Sequence, residues 1–218
     1  MKLVTEPYLS QLARWPRDGR HILAQYDRDS VVVYQAFRPD IAREAVERGT
    51  FGPSFSLSRM SWVKPNFLWM MFRCGWATKE SQEAVLAVTI RREGFDRMLS
   101  EAVHSNYVPE VYGSPSTWKQ RVKESDVRLQ WDPDHDPHGQ KLERRAIQLG
   151  LSGATLRAYA SEWITRVDDV TDFVRAQHAH VRDLALDRLI TPREDVYPVS
   201  DATVAARLGV AGLTSRNG

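Results

Sequence analysis

Residues 59–76, RMSWVKPNFLWMMFRCGW, place three Trp, two Phe and three Met among two Arg and one Lys. Their reading decides between a membrane protein and a packed domain. A spanning helix needs about 20 consecutive apolar residues. The uninterrupted apolar run here is only Phe67 to Phe72, bracketed by Lys64 and Arg73. The stretch is therefore no anchor. Pro65 sits where a first helical turn tolerates proline and Gly75 where a left-handed cap belongs, which predicts a helix over Pro65–Cys74. On helical spacing Phe67, Leu68, Met71 and Phe72 share a buried face, while Trp69, Met70 and Arg73 point elsewhere.

Working outward, DSVVVYQAF (29–37) is rich in β-branched and aromatic residues and predicts a strand. PDIAREAVERG (39–49) follows as a helix with Ile41, Ala42, Ala45 and Val46 on one face and Gly49 as its stop. Beyond the central stretch, 83–90 reads as a strand and 92–103 as a helix striped by Phe95, Met98, Leu99 and Val103. Residues 104–117 form a turn-rich loop. TWKQRVKES is a helix, and DVRLQWD alternates Val127, Leu129 and Trp131 against Arg128 and Gln130 as a half-buried strand does. PDHDPHG (133–139) reads as a tight loop, 144–151 as a strand and SGATLRAYASEWI as a helix. Residues 170–189 make the longest amphipathic helix. No G-x-G-x-x-G and no phosphate-binding Walker loop occurs. Interleaved elements without a nucleotide fingerprint indicate an α+β fold with a mixed or mainly antiparallel sheet and flanking helices. The division expected is an N-terminal arm over 1–28, a single domain over 29–190 and an extended, partly disordered tail over 191–218.

The chain has 218 residues, 42% hydrophobic and 27% charged, with a formal net charge of +2. That composition fits a globular protein and is too weakly basic to imply nucleic acid by itself. Cys74 is the only cysteine, which excludes an intrachain disulfide and a Cys-rich zinc motif. The first twenty residues lack an apolar leader core. These features together lead us to expect a cytoplasmic protein with no membrane partner.

Three groups of residues invite a chemical reading. WDPDHDPHG (131–139) has the Asp-x-Asp-x-Asp rhythm of a calcium loop, but Pro137 stands where that loop needs Gly for its turn, so no metal is assigned. In HAH (178–180) the two histidines are two apart and cannot share a helix face, so both are expected to face solvent. The basic and aromatic residues are more informative. Arg59, Trp62, Lys64, Trp69, Arg73 and Trp76 crowd one short segment, where cations can hold phosphates and flat rings can stack a base. The plain alternative is that the three Trp fill core space while the cations reach out to water.

Several long motifs occur in one order: VYQAFRPDIAREAVERGTFGPSFSLSRMSWVKPNFLWMMFRCGW, VLAVTIRREGFDRML, VRLQWDPDHDP, AIQLGLSG and YASEWITRVDDVT. Over roughly residues 20–198 the chain resembles the domain-of-unknown-function family 4291. The family's name implies no activity. More distantly, the order of elements looks like the first half of ADP-ribosyltransferase folds, which implies a split antiparallel sheet clamping NAD. That resemblance implies first-strand site residues Tyr34 and Gln35, and loop residues Ser56, Ser58 and Arg59. Gln35 departs from the His or Arg expected there, and no E-x-E or Q-x-E is present. The nearest candidates for the catalytic acid are Gln130 and Asp132, of which a carboxylate better stabilises an oxocarbenium-like centre.

Two functions are thereby expected. The first is an NAD-using ribosyl-transfer enzyme acting on a nucleic acid, nucleotide or protein, with NAD as substrate. In it Arg59, Lys64 and Arg73 hold the pyrophosphate, Tyr34 and Trp62 stack on a ring, and Asp132 is the acid. The second is a non-catalytic module that binds single-stranded nucleic acid or a nucleotide with the same cations and rings.

Overall fold

The computed structural model describes residues 1–210. The chain opens with β1 (Thr5–Pro7), α1 (Tyr8–Leu12) and β2 (Leu23–Ala24), then β3 (Ser30–Phe37) and α2 (Pro39–Arg48). Pro39 begins α2 and Gly49, at φ 71°, ends it. Next come β4 (Ser61–Val63) and α3 (Phe67–Cys74). The helix of the central stretch thus starts two residues later than expected. The Asn66 side chain accepts from the Trp69 amide at 2.7 Å and serves as the N-cap, while Gly75 closes the helix at φ 59°.

The remainder alternates in the same manner: β5 (Ala84–Arg91), α4 (Arg92–Glu101), β6 (Val103–His104), α5 (Pro109–Tyr112), α6 (Pro115–Glu124), β7 (Val127–His135) and β8 (Lys141–Leu151). After α7 (Gly153–Ala158) a π-helical turn (Tyr159–Trp163) leads into β9 (Ile164–Asp169). The last elements are α8 (Thr171–Arg182), β10 (Ile190–Pro192), β11 (Asp195–Val196) and α9 (Ala202–Leu208).

Two sheets carry the fold. One is antiparallel in the order β3-β5-β9; the other runs β4-β8-β7-β6, antiparallel except for the β6–β7 pair. They meet at a single bridge, where the Tyr34 amide donates to the Lys64 carbonyl at 2.7 Å. The α+β, mainly antiparallel class is therefore found. Apolar residues fill both faces of the first sheet. Val31, Val33, Leu86 and Val88 join α2, α4 and the inner face of β7–β8 in one core, while Val32, Tyr34, Val85 and Ala87 join α3 and α8 in the other.

The α3 surface differs from its helical-wheel reading. Trp69 and Met70 are buried with Phe67, Leu68 and Met71, and Phe72 is the partly exposed one. Strand β7 and the two-sheet junction both press on α3, so more than one face is covered. Helix α8 stops at Arg182, short of the expected 189, because Leu184 takes a positive φ of 58° and projects into solvent.

Among the described residues, the N-terminal segment and residues 190–210 pack onto one another and onto the domain. Strand β1 pairs with β10 and β2 with β11. Trp15 is buried with its indole N–H donating to the Glu194 carbonyl at 2.8 Å, and the Gln11 amide donates to Thr191 Oγ1 at 2.8 Å. Helix α9 is capped by Asp201 and buries Leu208. The N-terminal segment is satisfied by partners about 180 positions away, which no local pattern reveals. The part of the tail expectation that concerns residues 211–218 lies outside the described residues.

Glu194 fastens this closure to α3. Its carboxylate accepts from the Phe67 amide at 2.6 Å and lies 3.4 Å from the Asn66 side-chain nitrogen. Burial pushes this carboxyl well above the ordinary carboxylate range, with the Phe67 N–H opposing. The folded chain therefore holds this proton at pH values where the unfolded chain has released it. Its stabilising contribution is full below the ordinary carboxylate pKa and declines as pH rises through the raised value. Glu194→Gln keeps the acceptor for Phe67 and removes the titration. Thermal unfolding of that variant is expected to be flatter with pH than wild type, with its relative gain at neutral pH. A wild-type slope surviving in Glu194→Gln would show that another group titrates.

Candidate functional site

A cavity of ≈ 820 Å³ opens where the two sheets meet. Its wall takes Gln35 and Phe37 from β3, Arg38 from the start of α2, and Ser54, Phe55, Ser56, Arg59 and Met60 from the following loop. Ser61 and Trp62 come from β4 with Lys64 just after it, Met70 and Arg73 from α3, and Gln130 and Gln148 from β7 and β8. Alternation along the β7–β8 hairpin explains the last pair. Leu129, Ile147 and Leu149 face the core, so the directly opposed Gln130 and Gln148 face the cavity.

Of the residues expected at a site, Gln35, Ser56, Arg59, Trp62, Lys64, Arg73 and Gln130 converge on this wall. Ser58 stands one step out, its hydroxyl 3.1 Å from that of Ser56. Tyr34 does not reach the cavity. As the strand neighbour of Gln35 it points to the opposite face, fully buried with its ring edge-on to Phe67 at 5.4 Å, so it cannot stack on a ligand in this cleft. Asp132 follows Gln130 on the same face of β7 but is not among the lining residues; its Oδ1 accepts from Gln130 Nε2 and its Oδ2 from Gln148 Nε2, both at 2.8 Å. Gln148 was missed because its role depends on the register that sets it opposite Gln130.

The Gln35 amide is already engaged. Its oxygen accepts from the Tyr159 hydroxyl at 2.6 Å, and its nitrogen donates to Ser61 Oγ at 2.8 Å and the Trp62 carbonyl at 3.1 Å. Gln35 thus ties β4 to β3 and to the π-helical turn and has no N–H left for a ligand. Trp62 is placed by a close approach: it lies opposite Gly150 in the β4–β8 register, and a Cβ on Gly150 would come within 2.6 Å of Met60 Sδ and 2.9 Å of Trp62. Only glycine leaves room for both side chains to lie across the strand.

The wall is cationic and carries no Asp or Glu among the described residues. Arg38 is paired with Asp40 at 2.9 Å, whereas Arg59, Lys64 and Arg73 make no ion pair among the described residues. Lys64 is 4% exposed. Burial first, and then the Arg73 guanidinium, push its ammonium down to about 8, against an opposing pull from Asp132. An acid-free wall with Arg59, Arg73 and a buried lysine is suited to an anion, and its hydroxyls, amides and rings to the polar and flat parts of one ligand.

The acids of the 131–139 segment are each used separately. Asp134 pairs with Arg144 at 2.6 Å, Asp136 accepts from the His138 and Gln140 amides to set the hairpin turn, and Asp132 serves the two glutamines. Residues 133–135 continue β7 rather than forming a loop. His135 stacks against Phe72 and Trp69. Among the described residues no three His, Cys, Asp or Glu side chains gather as metal ligands. His178, expected in solvent, stacks on Trp76 at 5.4 Å.

Fold and cleft together define an α+β protein with a basic, amide-lined cleft at the junction of two mainly antiparallel sheets. Among the described residues no helix is long and apolar enough to cross a membrane. The family described as Domain of unknown function (DUF4291) matches residues 21–197, and the chain belongs to it. The matched span contains every residue of the cleft wall. No curated protein matches the chain.

Proposed function

We propose that the cleft binds a nucleotide through its diphosphate and that the protein is an ADP-ribosyltransferase-like enzyme with NAD as the ribosyl donor. The observation that carries this reading is the convergence of Arg59, Lys64 and Arg73 on one cavity whose lining, among the described residues, has no acidic side chain. The cavity volume lies within the roughly 300–1,000 Å³ range of small-molecule sites. Trp62 offers a face for a base or nicotinamide ring, and the loop serines offer partners for ribose hydroxyls. Asp132, fixed between two amides, supplies the negative charge that opposes a developing oxocarbenium centre. A cleft between two halves of a split sheet also suits the resemblance to ADP-ribosyltransferases. The lone, buried Cys74, with no disulfide partner in the chain, supports a cytoplasmic setting.

A second reading is a non-catalytic module for a nucleotide or single-stranded nucleic acid. It is favoured by the engagement of both Asp132 oxygens with the Gln130 and Gln148 amides, off the cavity lining. Titration calorimetry with NAD and ADP separates these readings from no function at the cleft. Each of Arg59→Ala and Arg73→Ala is expected to weaken binding by about ten- to a hundredfold, the worth of one hydrogen bond to a charged group. Wild-type affinity in both variants would sink the anion-site reading. Nicotinamide release from NAD then decides for the enzyme. NAD binding without any release, together with salt-sensitive binding of single-stranded oligonucleotides, decides for the module.

A further inference from the structure

In the proposed function Lys64 has only an electrostatic role, although its surroundings are unlike those of a phosphate-gripping lysine. Its side chain is buried yet lines the cavity, and among the described residues no carboxylate pairs with it. The other five lysines, Lys2, Lys79, Lys119, Lys123 and Lys141, are all exposed. Two arginines, Arg59 and Arg73, line the same cavity and can hold phosphate without it. A desolvated amine next to a fixed cation is the arrangement that makes lysine a nucleophile near neutral pH.

We propose that Lys64 is a catalytic amine that condenses with the open-chain C1 aldehyde of a phosphorylated ribose whose phosphates rest on Arg59 and Arg73. The substrate class is a pentose phosphate or nucleoside-diphosphate ribose with a free reducing end. The amine lone pair forms the N–C1 bond while the carbonyl π pair moves to oxygen, which takes up a proton as nitrogen releases one. Departure of that hydroxyl as water, with loss of the remaining N–H proton, leaves the C=N bond. No oxidant or reductant is consumed. The groups that set the charge of Lys64 fit this role. Burial and Arg73 bring its ammonium down to about 8, and Asp132 and the Cys74 thiol oppose them. At pH 7 to 8 its neutral fraction is then roughly a hundredfold that of an exposed lysine.

The inference takes from the proposed function only that the cleft holds a phosphorylated ribosyl group. The full chain is incubated with ribose 5-phosphate and cyanoborohydride, and the reduced adducts are mapped by peptide mass spectrometry. The expected result is one fast adduct at Lys64, suppressed by inorganic diphosphate, retained in Lys79→Met and lost in Lys64→Met. Should Lys64→Met fail to fold, the wild-type labelling rate serves alone: it is expected to rise through pH 8 at Lys64 and to exceed that at the exposed lysines. Labelling no faster at Lys64 than at the exposed lysines overturns the proposal. ADP-ribose that binds without a trapped adduct also overturns it, and leaves the nucleotide reading standing. A Lys64 adduct with ribose 5-phosphate in a protein that does not bind NAD upholds the amine and removes NAD.

Discussion

Arg144→Met is expected to destabilise the fold by about 3–5 kcal/mol, the cost of leaving one partner of a buried ion pair without the other. Arg144 and Asp134 are 3% and 1% exposed at their side chains and approach to 2.6 Å. The guanidinium also donates through Nε to Asp134 Oδ2 at 2.8 Å and through Nη1 to the Pro16 carbonyl at 2.6 Å. It lies 5.3 Å from the Trp15 ring. One side chain therefore fastens the N-terminal segment to the β7–β8 hairpin. The Glu194 carboxyl, whose proton affinity Arg144 lowers, belongs to the same network. Urea unfolding should show the loss, and limited proteolysis should cut the first twenty residues before the rest. In Asp134→Leu/Arg144→Met no unpaired charge remains, so most of the loss should be recovered. A loss below about 1 kcal/mol in the single variant would mean that water enters and solvates Asp134.

Gly150→Val is expected to close the cleft while leaving the fold in place. The valine must displace Met60 and Trp62, which a bare Cβ already meets at 2.6 and 2.9 Å. Overpacking of this kind costs about 1–3 kcal/mol. Both displaced side chains belong to the cavity wall, so affinity for ADP or NAD should fall by one to two orders of magnitude, the typical penalty of an ångström-scale misplacement. Calorimetry measures the affinity, and tryptophan emission reports the new environment of Trp62. Gly150→Ala combined with Met60→Ala removes the nearest clash and should restore part of the binding. Undiminished affinity in a folded Gly150→Val protein would show that the Trp62 face is not part of the binding wall.

Much of the local structure is legible in the chain. The β-branched run before Phe37, the Gly49 and Gly75 stops and the alternation of Val127, Leu129 and Trp131 each reflect backbone preferences acting within a few residues. The gathering of Arg59, Trp62, Lys64 and Arg73 was equally visible, because they fall within fifteen positions of one another on either side of the α3 start.

Other features depend on contacts that no window of sequence contains. Strand alternation requires Tyr34 and Gln35 to face opposite ways, but β3 is apolar on both sides, and only the packing of α3 and β4 determined which of them meets the cleft. The capture of Asp132 by Gln130 and Gln148 required the β7–β8 register. The anchoring of residues 1–28 required strands from the far end of the chain. The sequence by itself determined the elements and the cationic, aromatic character of one segment, since propensity, capping and charge are local. The tertiary structure alone decided that this segment forms a wall, which side chains complete it and that Lys64 lies buried with no ion pair among the described residues, because burial and register arise only when distant strands pair.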